Sequence, residues 1–190
     1  MEFRNRNPII YILSGKAGTG KNMIANHIES IYKKYNKKTI NLAYASYLKE
    51  YAKNILNWNG DEETKPREFL QQIGIELIKN QINSRMLINR LVEDLKVYSY
   101  FYDVVTISDA RFPEEIDTIR NTFKNVIVIH VYGLENKNSL TIEQKKHSTE
   151  ISLDNYKNYD YQINNSGLIE DLKSKIELII RENMVLQLYW

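Results

Sequence analysis

Apolar residues first gather at Ile9–Ser14, a short run bounded by Pro8 and Gly15. A run of that length without polar alternation predicts a parallel strand buried on both faces. After a loop at Gly15–Lys21 the spacing changes: Ile24, Ile28, Ile31 and Tyr35 recur at helical intervals and predict a first helix. Thr39–Ala43 predicts a second strand and Tyr44–Trp58 a helix. Asn59–Pro66 holds Asn-Gly, a run of acids and a Pro, and reads as a loop. Two amphipathic helices follow, one lined by Leu70, Ile73 and Leu77, the other by Leu87, Leu91 and Leu95. Tyr102–Ser108 predicts a strand leading into Asp109, Val126–Tyr132 another, and Tyr159–Ile163 a last short one. Gly133–Lys146 is polar, Lys-rich and weakly patterned, which suits a lid. Leu168, Leu172, Ile176 and Ile179 predict a closing helix, with Asn165-Ser166-Gly167 as its start signal.

Strands alternate with helices almost throughout. That order predicts an α/β fold, a parallel five-stranded sheet with helices on both faces in three layers. Ligands of such folds sit at the carboxyl ends of the strands. The residues after Ser14, Ala43, Ser108 and Tyr132 are therefore expected to converge. The 190 residues suit a single domain, with a helical region over 44–98 and a lid-like segment over 133–150.

Composition then excludes several chemistries. The 26 Lys and Arg nearly balance 24 Asp and Glu, so no strong field draws the chain to nucleic acid or an anionic membrane. No stretch reaches the ~18–20 apolar residues of a membrane span. The polar segment Met1–Asn7 and the short apolar run behind it do not read as a secretory leader. Cys is absent, which removes disulfides, a thiolate nucleophile and Cys-based zinc sites. The expected location is the cytoplasm, or a host's cytoplasm for a viral chain. With three His, a poly-histidine metal site is not expected, and His27 and His130 read as structural. Lys33, Lys34, Lys37 and Lys38 crowd the end of the first helix and read as a solvated terminus complementing the dipole.

Gly15-Lys16-Ala17-Gly18-Thr19-Gly20-Lys21 matches G-x-x-x-x-G-K between a predicted strand and a predicted helix. The chemistry follows from the residue types. Glycines permit the turn and let phosphates approach the backbone, whose N–H groups and helix N-terminus bind anionic oxygens. Lys21 can reach the β- and γ-phosphates of a nucleotide and stabilise charge during transfer. Asn22 stands where Ser or Thr would give Mg²⁺ a hydroxyl; its amide oxygen can meet the ion directly or through water. Asp109, at the end of an apolar strand, is the candidate carboxylate for Mg²⁺ or for orienting the reacting groups. The alternative for Asp109 is a turn or helix cap.

Asp109-Ala110-Arg111-Phe112-Pro113-Glu114-Glu115 after a strand resembles the deoxynucleoside monophosphate kinases of bacteriophage type. Ala45-Ser46-Tyr47-Leu48-Lys49 is similar to their Ala-x-x-Leu-Lys element, and Arg67–Gly74 to their Arg-x-x-Leu-Gln-x-x-Gly helix. His147-Ser148-Thr149-Glu150 resembles their His-x-Ser/Thr-Glu element, and Asn164-Asn165-Ser166-Gly167 their closing Asn-x-x-Gly turn. The resemblance runs from about Ile9 to Ile180, and the shared order of the motifs carries it. It departs at Asn22, where the family commonly has Asp, at Met23, often Thr, and at Tyr132-Gly133, where an Arg often follows the strand. Lys137, Lys145 or Lys146 would then replace a lid arginine, as point charges without the bidentate fork.

The resemblance implies a P-loop kinase moving the γ-phosphoryl group of ATP, with Mg²⁺, to a deoxynucleoside monophosphate. Lys21 belongs to the donor phosphates and Arg111 to the reacting centre, its alternative being an ion pair with Glu114 or Glu115. Region 44–98 becomes the acceptor-binding region. Arg67 is a candidate for the acceptor phosphate, and Lys49 and Gln71 for the acceptor nucleotide. Glu115 either hydrogen-bonds the acceptor or holds Arg111, and His147 and Glu150 close over the acceptor from the lid side. Tyr47 and Trp58 are read as packing rather than as platforms for a base. A homodimer is compatible with the apolar C-terminus at Leu186–Trp190. Two other readings stay open here: a kinase for another phosphorylated small molecule, such as phosphomevalonate or dephospho-coenzyme A, and a non-catalytic nucleotide-binding protein.

Overall fold

A computed structural model gives the fold and describes residues 3–133 and 148–187. The chain forms two compact units, one of Met1–Asn41 with Ser99–Trp190, the other of Leu42–Tyr98.

Strands β1 (Ile9–Ser14), β2 (Thr39–Leu42), β3 (Val104–Ala110), β4 (Val126–Tyr132) and β5 (Tyr161–Asn164) form one sheet in the order β2-β3-β1-β4-β5. β1 runs parallel to both β3 and β4, and β4 parallel to β5. Every residue of β1 is buried, as its apolar run predicts for the central strand. Helix α1 (Lys21–Lys34) and the closing helix, α7 here (Ile169–Gln187), contribute to one core cluster. It joins Tyr11 and Leu13 of β1, Ile129 and Val131 of β4, Ile24 and Ile28 of α1, and Leu172 and Ile176 of α7. Because strand side chains alternate, Ile10, Ile12 and Val128 face the other way. Helix α5 (Pro113–Thr122) brings its buried Ile116 and Ile119 against β4. The short α6 (Ser148–Ile151) precedes β5. The sheet thus carries helices on both faces, as the alternation predicts.

Three details of the first unit differ from the sequence pattern. Tyr35 is 64% exposed, because it caps α1 rather than extending it; Tyr32 takes the buried position instead. Leu168 lies ahead of α7 and is exposed. β3 continues past Ser108 through Asp109 to Ala110. Its register against β1 slips between Ile12 and Ser14, so Ser108 and Asp109 together oppose Leu13. Such a bulge re-aims a side chain, here beside the start of the glycine loop.

The second unit is helical, with α2 (Tyr44–Leu56), α3 (Arg67–Gln71) continuing as a π-helix over Gln72–Ile82, and α4 (Met86–Tyr98). Leu77, expected to line the third helix, is exposed, and Ile78 is buried in its place. The cause is the helix type: i→i+5 bonding widens each turn, so the residue five beyond Ile73 faces inward. Ala52, Trp58 and Leu70 form one core cluster of this unit. No helix among the described residues is long and apolar enough to cross a membrane.

Candidate active site

The loop between β1 and α1 is shaped by glycine. Gly15, Gly18 and Gly20 all have positive φ, at 134°, 77° and 94°. At Gly15 the constraint is also spatial, since a Cβ there would run into the backbone carbonyl of Val131. Lys21 opens α1 and is only 7% exposed. Its ammonium donates to the carbonyls of Gly15 at 2.8 Å and Lys16 at 2.7 Å. The charge is therefore held inside the loop by groups that bind it weakly compared with phosphate oxygens. Thr19 is fully buried and its hydroxyl donates to the Lys16 carbonyl at 2.9 Å. The Lys16 side chain pairs with Asp154 at 3.0 Å.

One carboxylate gathers the loop and the strand-end arginine. Glu150, on α6 and 8% exposed, accepts the Ala17 N–H at 2.8 Å through Oε2. Its Oε1 accepts from Arg111 Nη1 at 2.7 Å. Arg111 thus forms an ion pair with Glu150. Glu115, in the first turn of α5, accepts the backbone N–H groups of Arg111 at 2.7 Å and Phe112 at 3.0 Å. These bonds hold the backbone that carries Arg111. Asp109 is half-buried on the bulged end of β3.

Beside this cluster lies a cavity of about 420 Å³, whose lining includes Gly15, Lys16, His130, Glu150, Tyr156 and Tyr159. His130 stacks on Tyr159 with ring centroids 4.6 Å apart, and its Nδ1 lies 3.3 Å from the Ser14 hydroxyl. Burial pushes the Tyr159 hydroxyl above its usual range, so it stays protonated.

The second unit carries Lys49, Arg67 and Gln71. Lys49, half-buried on α2, pairs with Glu62 at 3.0 Å. Lys65 and Lys49 together hold the Glu62 carboxyl down at about 2. Arg67 is exposed at the start of α3, and Gln71 is half-buried at its end. Tyr47 donates to Asp94 at 2.6 Å beneath the Arg90 guanidinium, and Trp58 is in the core. His147, Lys137, Lys145 and Lys146, with most of the lid-like segment 133–150, lie outside the described residues.

Sequence reasoning missed Asn165 as a site residue, reading it as part of a helix start signal and of the closing Asn-x-x-Gly turn. Its side-chain amide donates to the Thr19 carbonyl at 2.9 Å, directly on the phosphate loop. No spacing rule points to this contact, which joins residues 146 positions apart.

A glycine loop between a parallel strand and a helix, with a buried lysine and a strand-end Asp-x-Arg, defines a P-loop kinase. The profile of the deoxynucleotide monophosphate kinase family matches residues 21–176, and the chain belongs to that family. Three solved structures of similar fold are distant in sequence. The APS kinase of Mycobacterium tuberculosis in complex with AMPPNP and APS aligns with a TM-score of 0.59 at 12% identity, covering 92% of this chain and 98% of that one. Shikimate kinase from Acinetobacter baumannii in complex with shikimate gives 0.53 at 18% identity, over 93% and 94%. A gluconokinase from Sinorhizobium meliloti 1021 gives 0.52 at 11%, over 97% and 99%. No curated protein matches the chain in sequence. The protein is a phosphoryl-transfer enzyme, a deoxynucleotide monophosphate kinase.

Proposed function

We propose that Lys21, Asp109 and Arg111 carry the transfer of the ATP γ-phosphoryl group to a deoxynucleoside monophosphate, giving two diphosphates. The observation that carries this reading is the meeting of the Ala17 N–H and the Arg111 guanidinium on a single carboxylate, in the loop that also holds Lys21. Two donors already converge on an anion there, and phosphate oxygens suit the same donors.

In the reaction an acceptor phosphate oxygen forms a bond to the γ-phosphorus while the bond to the β,γ-bridging oxygen breaks, and ADP leaves with that electron pair. The acceptor oxygen is already anionic, so no general base is required. The protein's task is positioning and charge stabilisation. Loop N–H groups hold the donor phosphates, Lys21 leaves its loop carbonyls to follow the γ-phosphoryl, and Arg111 stabilises charge on the group in transit.

The donor set fits Mg²⁺. Among the described residues no cluster of three or more His, Cys, Asp or Glu could hold a metal. Mg²⁺ in kinases needs no such cage, being bound through one or two carboxylates, water and the phosphates themselves. Asp109 would supply the carboxylate and Asn22, exposed in the first turn of α1, an amide oxygen. When bound, Mg²⁺ neutralises negative charge between the phosphates.

The test is a coupled assay of diphosphate formation over a panel of deoxynucleoside monophosphates, with Lys21→Ala in parallel. Turnover of at least one acceptor is expected, falling by orders of magnitude in a folded Lys21→Ala protein. Near-normal turnover in that variant removes the catalytic assignment of Lys21.

A further inference from the structure

The phosphate loop is held from outside as well as from within. The turn between β5 and α7 reaches it through Asn165, which is only 5% exposed. The backbone N–H of Asn165 donates to the Tyr132 carbonyl at 2.8 Å, fixing the residue to the end of β4. Its side-chain nitrogen donates to the Thr19 carbonyl at 2.9 Å. That neighbour can only accept, so the amide must present its NH₂ side to the loop. The approach is close: a Cβ on Gly20 would strike the Asn165 amide nitrogen. Gly20 is the N-cap of α1 and offers no side-chain cap to the helix.

A trans peptide is planar, with its C=O and N–H pointing in opposite directions. Pinning the Thr19 carbonyl toward Asn165 therefore turns the Gly20 N–H away from Asn165. It also fixes the peptide that delivers the chain into the first turn of α1, where Lys21 and Asn22 stand. We infer that Asn165 is a positioning residue for the donor nucleotide, setting the Thr19–Gly20 peptide so that the loop is preformed for phosphate. The inference rests on the phosphate loop holding the donor. Asn164, its neighbour, does something different: its side chain accepts from the N–H and hydroxyl of Ser166, at 2.8 and 2.6 Å, and so shapes the turn alone.

Three variants separate positioning from turn stability. Asn165→Ala removes the donor. Asn165→Asp keeps the shape, loses the donor and sets a negative charge near the phosphates. Asn164→Ala disturbs the turn without touching the loop. ADP affinity is measured by titration calorimetry, KM for ATP and for the acceptor by steady-state kinetics, and folding by thermal melts. Loss of one hydrogen bond predicts about five- to tenfold weaker ADP binding in Asn165→Ala, with ATP KM raised alike and acceptor KM unchanged. Asn165→Asp is expected to lose more, and Asn164→Ala to bind ADP as wild type does. Two results overturn the inference: unchanged ADP affinity in folded Asn165→Asp, or an equal loss in Asn164→Ala, which would assign the effect to the turn as a whole. Failure of the kinase reading is distinguishable, because the wild-type protein would then bind ADP without transferring phosphate to any acceptor.

Discussion

Arg111 is held at both ends, its backbone by Glu115 and its guanidinium by Glu150. A planar fork can keep that carboxylate on one nitrogen and offer its others to a phosphoryl group; an ammonium cannot match this geometry. Arg111→Lys is therefore expected to lower kcat by about one to two decades, the worth of a charge-assisted hydrogen bond of roughly 1.5–3 kcal/mol, with both KM values little changed. Steady-state kinetics with each substrate varied in turn checks this, and a rise in KM alone would move Arg111 from the reacting centre to ground-state binding. His27 makes a different kind of prediction. Burial holds its imidazole below the usual 6.5, with Lys173 and Lys34 adding to the effect and Glu177 opposing it. The unfolded chain then binds the proton more readily than the folded one. His27 accordingly favours the fold above its unfolded pKa, and that contribution is lost as pH falls through the lower folded value. Thermal melts between about pH 7 and pH 5 should show a steeper loss in wild type than in His27→Gln. Equal slopes would mean that His27 titrates alike in both states.

Strand β1 and helix α1 are joined by more than apolar contact. The hydroxyls of Tyr11 and Tyr32 meet at 2.8 Å in the core, and burial raises both above the normal phenol range. Removing one hydroxyl strands the other without water, so Tyr11→Phe should cost about 1–3 kcal/mol. The double change to Phe at both positions should recover most of that loss, because no polar group is then left unpaired. Denaturant melts of the two single variants and the double close this cycle. The same elements show what a sequence reveals. β1 and β4 are legible to the residue because a strand buried on both faces admits little but apolar side chains. The phosphate loop is legible because its chemistry needs closely spaced glycines and a lysine within one short segment. The π-helix is not, since an inward face at Ile73 and Ile78 breaks the interval that pattern reading assumes. Glu150 was legible only through the family resemblance, and its partner Ala17 lies 133 positions away. The bulge at Asp109 arises from pairing between strands, which no single segment encodes.

At the scale of the molecule, the residues read for the donor fall in one unit of the chain, while those read for the acceptor are drawn from both. Lys21, Asp109, Arg111, Glu150 and Asn165 belong to the sheet-bearing unit, whereas Lys49, Arg67 and Gln71 belong to the helical one. This division predicts separable kinetics. Arg67→Lys keeps the charge and loses the fork, so it should raise KM for the deoxynucleoside monophosphate by about one to two decades and leave KM for ATP in place. An effect on ATP instead would move the acceptor phosphate off α3. The helical unit is also one uninterrupted stretch, Leu42–Tyr98, opening and closing within the other unit's sequence. In genetic terms it is a cassette. Exchanging this segment in frame would replace Lys49, Arg67 and Gln71 together and leave every codon of the phosphate loop unchanged. On the roles proposed for these residues, a lineage built this way would change what it phosphorylates without reinventing how it does so.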